Sequence, residues 1–414
     1  MPFIHLATKT TGDVKACCRA FPPSGNIRDE SLEAIWNNSV QRKIRKALLN
    51  GERPIECGPC WQLEDANVHS LRQNRNKMLA ETYKERVIAD LREDGTLPFK
   101  IPVLEIKSSN LCNLKCRMCH PLDSTSWAKD WRSIEHLMKE NNESTYQTIK
   151  ELNVIKHPYI NTWEMNDQFW KDFEALVPHF ERIEFAGGEP LIDPMHYKVL
   201  DILKPHGEHI TLKYSTNLTT LQFRGIKVIE EWMHFKEIDL APSVDGIFDV
   251  YNYVRQLGDF ESMVNNMLFL KEHPKIRNYM IACTFSIYNI STLPEIFHYF
   301  SNDIGVLVHS HRVQYPKFLD MRVIPPKLKR KIAVKLQDFV DSIETFPWNV
   351  EQKRMARKNT IDNLNFLMSD DHSHLLPEFV EFSDILDEKQ NTTISWRDIL
   401  PELHEHCKNE GICK

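Results

Sequence analysis

Three cysteines, Cys112, Cys116 and Cys119, fall within the nine residues CNLKCRMCH. Thiolates are the ligands iron–sulfur clusters prefer. A closed structural zinc site takes four protein ligands, and this stretch offers three thiolates. Three thiolates on a four-iron cubane leave one iron without a protein ligand, and that iron can take an external chelating group, so the open position is itself where chemistry would occur. The competing reading is a zinc knuckle that borrows His120 as a fourth ligand.

More cysteines cluster elsewhere. Cys17 and Cys18 lie in GDVKACCRA, Cys57 and Cys60 in ECGPCW, and Cys407 and Cys413 near the C-terminus. Cys283 stands alone in the apolar YMIACTFSI and reads as a core residue. Clustering of this kind among 10 cysteines points to metal or redox chemistry in a reducing compartment rather than to disulfides. The N-terminal residues lack the pattern of a secretory leader, and no apolar run approaches the ~18 residues that cross a bilayer. A cytoplasmic protein with no membrane partner is therefore expected.

These cysteines need elements to position them. Strands are predicted at Val103–Lys107, Arg182–Ala186, Ile210–Ser215, Ile238–Val244, Tyr279–Ile287 and Gly305–Val313. Helical stretches alternate with them, among them DPMHYKVLDILKPHG, with Asp193 as N-cap and Pro194 at its first position. Strand–helix alternation predicts a parallel α/β sheet with right-handed crossovers. Six units are fewer than the eight of a closed barrel, so an open, partial (β/α)6 barrel is expected. Residues 121–180 exceed a plain crossover and read as an inserted helical region whose Trp127, Trp131, Trp163 and Trp170 are core.

The remaining organisation follows composition shifts. Residues 1–97 form a small cysteine-rich unit, 98–325 the α/β core, and 326–414 a helical C-terminal region. Within the first unit, GNIRDESLEAIWNNSVQRKIRKALLNG reads as one helix with Ser31 as N-cap and Gly51 as its stop. A charged helical stretch runs from about Leu63 to Arg92, and its Lys84–Asp94 part reads as a solvated face.

The cluster loop directly follows the first core strand, so Cys112, Cys116 and Cys119 sit at the C-terminal sheet edge where α/β proteins place reactive groups. FAGGEP closes the second strand: Gly187 and Gly188 permit close backbone approach to a ligand, and Glu189 adds an acceptor for a cationic group. YSTNLT and APSVDG close the next two, with Ser215, Thr216, Asn217, Ser243 and Asp245; Arg255 follows. Ser, Asn and Asp also serve turns and caps at such places.

The spacing of SNLCNLKCRMCHP, followed by GGEP at the next strand end, resembles the radical S-adenosylmethionine (SAM) superfamily. The resemblance implies a [4Fe–4S] cluster on Cys112, Cys116 and Cys119. It also implies SAM bound through Gly187, Gly188 and Glu189, with Ser215, Asn217, Ser243, Asp245 and Arg255 as further contacts. Reductive SAM cleavage would yield a 5′-deoxyadenosyl radical that abstracts hydrogen from a substrate. The N-terminal unit resembles the twitch domain, a shortened relative of SPASM, through the Gly12-to-Cys17 spacing, GNIRDESLEAIW and the Cys57/Cys60 pair. This implies a second iron–sulfur cluster on Cys17, Cys57 and Cys60; zinc is the alternative there. In most such proteins this domain follows the core; here it precedes it, and the family's cysteine before the glycine is missing. Cys18, Cys407, Cys413 or a histidine of LHEHCKNEGIC is left as fourth ligand, as is substrate. Pro242 also departs from the apolar residue the family places before Ser243.

Relatives of this kind modify peptides, proteins or small metabolites and take electrons from a donor such as a flavodoxin or ferredoxin. The net charge of −6 gives no bulk attraction for nucleic acid, so base modification is the lesser enzymatic alternative. A non-catalytic zinc-binding interaction module is the alternative outside catalysis.

Overall fold

The computed structural model describes residues 1–65, 67–160 and 166–413; Trp163 lies outside the described residues. The chain opens with three strands, β1 (His5–Thr8), β2 (Asp13–Lys15) and β3 (Gly25–Asn26). Four helices follow: α1 (Leu32–Trp36), α2 (Ser39–Leu49), α3 (Gly58–Asp65) and α4 (Leu71–Asp90). Ser31 caps α1 as predicted, its hydroxyl accepting from the Ala34 amide at 3.1 Å. The predicted single helix is instead two. The Asn38 side chain takes the Gln41 amide at 3.1 Å and starts α2 afresh, because asparagine competes with the helical backbone for its own donors. The stretch from Leu63 breaks in the same way, at the Ser70/Gln73 capping box that opens α4.

The core begins with β4 (Val103–Lys107) and the short β5 (Lys115–Cys116). The inserted region holds α5 (Ala128–Asn141), α6 (Glu143–Glu151) and α7 (Asp167–Leu176), and its described tryptophans, Trp127, Trp131 and Trp170, are buried as expected. Strand β6 (Arg182–Ala186), helix α8 (Pro194–Leu203) and strand β7 (Thr211–Thr216) follow. A small hairpin, β8 (Gln222–Phe223) and β9 (Ile226–Lys227), precedes α9 (Val228–Trp232) and β10 (Glu237–Pro242). Then come α10 (Phe248–Val254), β11 (Arg255–Gln256), α11 (Phe260–Lys271), β12 (Ile276–Phe285), α12 (Leu293–His298) and β13 (Leu307–Arg312). The C-terminal region is helical, as predicted: α13 (Pro326–Ser342), α14 (Val350–Met368), α15 (Leu376–Gln390), α16 (Trp396–Ile399) and α17 (Pro401–Asn409).

The main sheet has the order β13-β12-β10-β7-β6-β4-β1-β2-β3 and stays open, its edge strands unpaired with each other. The six predicted core strands form its parallel part in chain order. The first unit does not stand apart from it. Strand β1 joins as a seventh parallel strand beside β4, pairing His5 with Val103 and Ala7 with Glu105, and β2 and β3 extend the edge antiparallel.

Strand alternation then divides the sheet into two chemical faces. Leu104, Ile106, Ile183, Phe185, Leu212, Tyr214, Ile238 and Leu240 point one way into the helix-covered core. Glu105, Glu184, Lys213 and Asp239 alternate with them on the other face. Helix α4 reaches that polar face with Arg75, whose guanidinium grips Glu184 at 2.9 and 2.8 Å; Lys213 stands 3.2 Å from the same carboxylate. These cations hold the buried Glu184 carboxyl well below its ordinary range despite desolvation.

Candidate functional site

The cysteine loop is held by its backbone and by its polar neighbours. Asn110 donates to the carbonyls of Pro121 (2.7 Å) and Pro158 (2.6 Å) and accepts the Ile160 amide. Ser126 donates to the Cys112 carbonyl at 2.8 Å, and the Trp127 indole to that of Cys116 at 3.0 Å. Strands β5 and β11 pair Cys116 with Arg255, and the Arg117 amide donates to Val254 at 2.8 Å. The buried Arg117 side chain reaches Asp387 of α15 and stacks on Tyr253, tying the C-terminal region to this loop. With the backbone engaged this way, the thiols are the groups left to bind a ligand. The Leu114 amide lies 3.4 Å and Asn217 Nδ2 3.9 Å from Cys112 Sγ, contacts of the kind that tune cluster potentials.

Burial pushes the Cys112 thiol up to about 12, and Cys116 and Cys119 upward as well. A bound metal centre is what would hold them as thiolates. Among the described residues, the one group of three His, Cys, Asp or Glu ligand atoms within 4.8 Å of one another is His5, Glu105 and Glu184.

The FAGGEP segment packs directly on this loop. Gly188 donates to the Ser109 carbonyl at 3.1 Å and Glu189 to that of Leu111 at 2.7 Å. Gly187 has φ +124°, and a Cβ on Gly188 would lie 2.2 Å from the Leu111 carbonyl oxygen. The close approach made by these glycines is thus to the cluster loop itself. Asp193, the predicted cap of α8, takes the Met195 amide and both loop hydroxyls, Ser108 at 2.5 Å and Ser109 at 2.8 Å.

Glu189 is buried and already engaged. Its carboxylate accepts from Thr216 Oγ1 (2.7 Å), the Asn217 amide (2.6 Å) and the Leu191 amide (3.0 Å). It therefore welds the second strand end to the third and keeps about one lone-pair direction free. Asp245 and Arg255, both buried, form an ion pair at 2.6 Å, and Asp245 also accepts the Thr284 amide at 2.7 Å. Asn217 reaches the cluster loop through Asn113 at 2.9 Å. Ser215 is exposed at the end of β7, and Ser243 follows β10, where its amide donates to Thr216 at 2.7 Å.

In the first unit, Cys17, Cys57 and Cys60 line one cavity of about 210 Å³ with Arg19, Glu56 and Arg72 among its walls. Burial raises the Cys57 thiol to about 12 and Cys17 upward. Of the fourth-ligand candidates, none of the cysteines lines this cavity. Cys18 lies among the charges of Glu105 and Arg75. Cys407 is buried and faces Cys413 beside Arg397 and Asp384. The buried Cys283 belongs to the core, as predicted.

Several charged residues of the polar face went unread in the sequence: His5, Arg75, Glu105, Glu184 and Lys213. The signal was present in VLEIK, RIEFA and TLKYS, because strands buried on both faces read as continuous apolar runs and these alternate. His5 and His196 also carry a pH dependence. Burial lowers their imidazoles to about 4 and about 3. The unfolded chain therefore binds protons below about pH 6.5 that the folded chain refuses. Stability is full above that value and falls as the pH drops, by roughly 3 kcal/mol per imidazole at pH 4. The midpoint of thermal unfolding should decline between pH 6.5 and 4; a flat profile would contradict this.

Comparison with known proteins places the first segment. The model of the SPASM family, an iron–sulfur cluster-binding domain, matches residues 1–61, a span containing Cys17, Cys18, Cys57 and Cys60. No curated protein matches. Solved structures similar to this chain include native anSMEcpe with bound AdoMet and Cp18Cys peptide. It is 16% identical, with 59% of this chain and 60% of that one covered and a TM-score of 0.37. Streptococcus suis SuiB bound to precursor peptide SuiA is also 16% identical, over 76% of this chain and 62% of that one, with a TM-score of 0.37. The chain thus spans about three-fifths of the length of those solved proteins. No described helix is long and apolar enough to cross a membrane.

Proposed function

We propose that the chain is a radical SAM enzyme with an auxiliary iron–sulfur centre in its first unit. The observation that carries this reading is the three-thiol loop at the C-terminal end of β4, with Gly188 packed against its backbone. The donor set fits the group: the loop offers three thiols, the soft ligands that iron–sulfur clusters take. Cys112, Cys116 and Cys119 would hold a [4Fe–4S] cluster, and Gly187, Gly188, Glu189, Ser215, Asn217, Ser243, Asp245 and Arg255 form the neighbourhood for SAM. When bound, the cluster and SAM supply one-electron cleavage of a C–S bond and a carbon radical. The chain's own part is positional. Asn110, Ser126 and Trp127 fix the loop, Glu189 locks two strand ends beside it, and the Asp245–Arg255 pair braces the wall next to Cys116. Cys17, Cys57 and Cys60 would hold the second cluster. A peptide or protein side chain is the first substrate class, by resemblance to SPASM-bearing enzymes, and a small metabolite the second; a flavodoxin- or ferredoxin-type donor would supply the electron in the cytoplasm.

Anaerobically isolated protein is expected to be brown, to carry about eight irons per chain, and to form 5′-deoxyadenosine from SAM and dithionite, read by mass spectrometry. Colourless zinc protein without that product would refute the reading. Cys57→Ser should lower iron to about four per chain while 5′-deoxyadenosine still forms; loss of both would mean that the residue supports folding instead.

A further inference from the structure

The polar face of the sheet bears an arrangement that the proposed cofactor chemistry does not use. Carrying the β1/β4 register two residues beyond Ala7 and Glu105 sets Lys9 beside Lys107, on strands about 4.8 Å apart. Strand β2 pairs Lys15 with Ala7, so Lys15 belongs to the same face. Lys9 and Lys107 sit at the sheet edge where the cysteine loop begins, Lys107 directly before that loop, and Lys15 lies two residues further in, level with Glu105. Like charges directly across a strand pair are destabilising unless something neutralises them. Among the described residues, the one carboxylate within 4.0 Å of any of these ammonium groups is Asp123, at 3.9 Å from Lys107, and it is shared with His120 at 3.4 Å. Lys15 has an aromatic neighbour, Phe21, at 5.6 Å, and no carboxylate partner.

The three lysines are not held alike: Asp123 and then Glu105 raise the Lys107 ammonium despite its burial. The Lys107 charge, ahead of burial, pushes the Lys9 ammonium down to about 8. The Lys107 side chain is only 18% exposed, so this is a recess and not a solvated surface patch.

We propose that Lys9, Lys15 and Lys107 form a seat for an anionic group of the substrate, a carboxylate or a phosphate, holding it beside the cysteine loop. An anion there would relieve the repulsion that Lys107 exerts on Lys9 and gain charge-assisted hydrogen bonds from Lys9 and Lys15, which among the described residues have no carboxylate within 4.0 Å. The inference rests on the proposed function for the meaning of "substrate", but its test does not depend on turnover.

Full-length protein, reconstituted anaerobically and saturated with SAM so that the SAM carboxylate is already placed, is titrated calorimetrically at low salt. The probes are glutarate, inorganic phosphate and the neutral diamide glutaramide. At least one anion should bind saturably and glutaramide should not; which anion binds tells a carboxylate from a phosphate substrate. In Lys9→Gln/Lys107→Gln, binding should weaken by about tenfold or more, the loss expected for charged hydrogen bonds. Lys9→Arg/Lys107→Arg should keep it. The proposal is overturned if neither anion binds saturably, if the Gln variant binds as the parent does, or if the Arg variant loses binding equally. Absence of 5′-deoxyadenosine from the unmodified protein would sink the proposed function, yet leave these isotherms to decide the seat.

Discussion

Cys116→Ala is expected to abolish 5′-deoxyadenosine formation, by at least about a thousandfold, equivalent to a barrier increase of ~4 kcal/mol or more. The reason lies in how this residue is placed. Cys116 is the most buried of the three loop cysteines, and its backbone is clamped between β11 and the Trp127 indole. Those contacts use backbone atoms and persist in alanine, so the loop should keep its course while the centre loses one of three thiolates. The measurement is anaerobic product formation with dithionite, alongside iron content and circular dichroism. A folded variant that still cleaves SAM would refute the assignment of this loop.

Gly188→Ala should also be damaging, although it removes no ligand. Its new Cβ would sit 2.2 Å from the Leu111 carbonyl oxygen and 2.7 Å from the carbonyl carbon. Both are backbone atoms, so no rotamer change can relieve the clash. Overpacking usually costs about 1–3 kcal/mol, and here the strain falls on the loop between Ser109 and Cys112. The expected result is protein that folds but retains well under half of its core-cluster iron and cleaves SAM correspondingly little. Gly51→Ala is the control: Gly51 also has a positive φ, +72°, but a Cβ there meets nothing within 4 Å. It should cost about 1 kcal/mol from backbone strain and leave iron content unchanged. Equal behaviour of the two variants would mean that the close approach at Gly188 has no role in the cluster loop.

How far the sequence could be read depended on whether the information was local. Val103–Lys107 and Arg182–Ala186 are strands with the predicted bounds, because apolar alternation and flanking turn residues mark them. Asp193 and Pro194 start α8 as predicted because capping is a matter of neighbouring residues. The break at Asn37–Asn38 was misread even though its signal was local: the apolar period runs through it, and only the side-chain competition of asparagine reveals the stop. Glu189 reads locally as an acceptor for a cationic group. Its three protein donors come from Leu191, Thr216 and Asn217, two of them on another strand end, and no local pattern announces that.

By itself, then, the sequence determined the thiol set of the loop, the six-strand parallel core in chain order and the helical tail, since ligand type, period and caps are short-range properties. Only the tertiary structure decided that β1 enters the core sheet, that Arg117 meets Asp387 of α15, that Cys407 turns to Cys413, and that Lys9 stands beside Lys107. Those outcomes depend on strand register and on contacts between segments up to 270 residues apart. Such contacts are set by which surfaces bury together, and burial is a property of the whole chain rather than of any stretch of it.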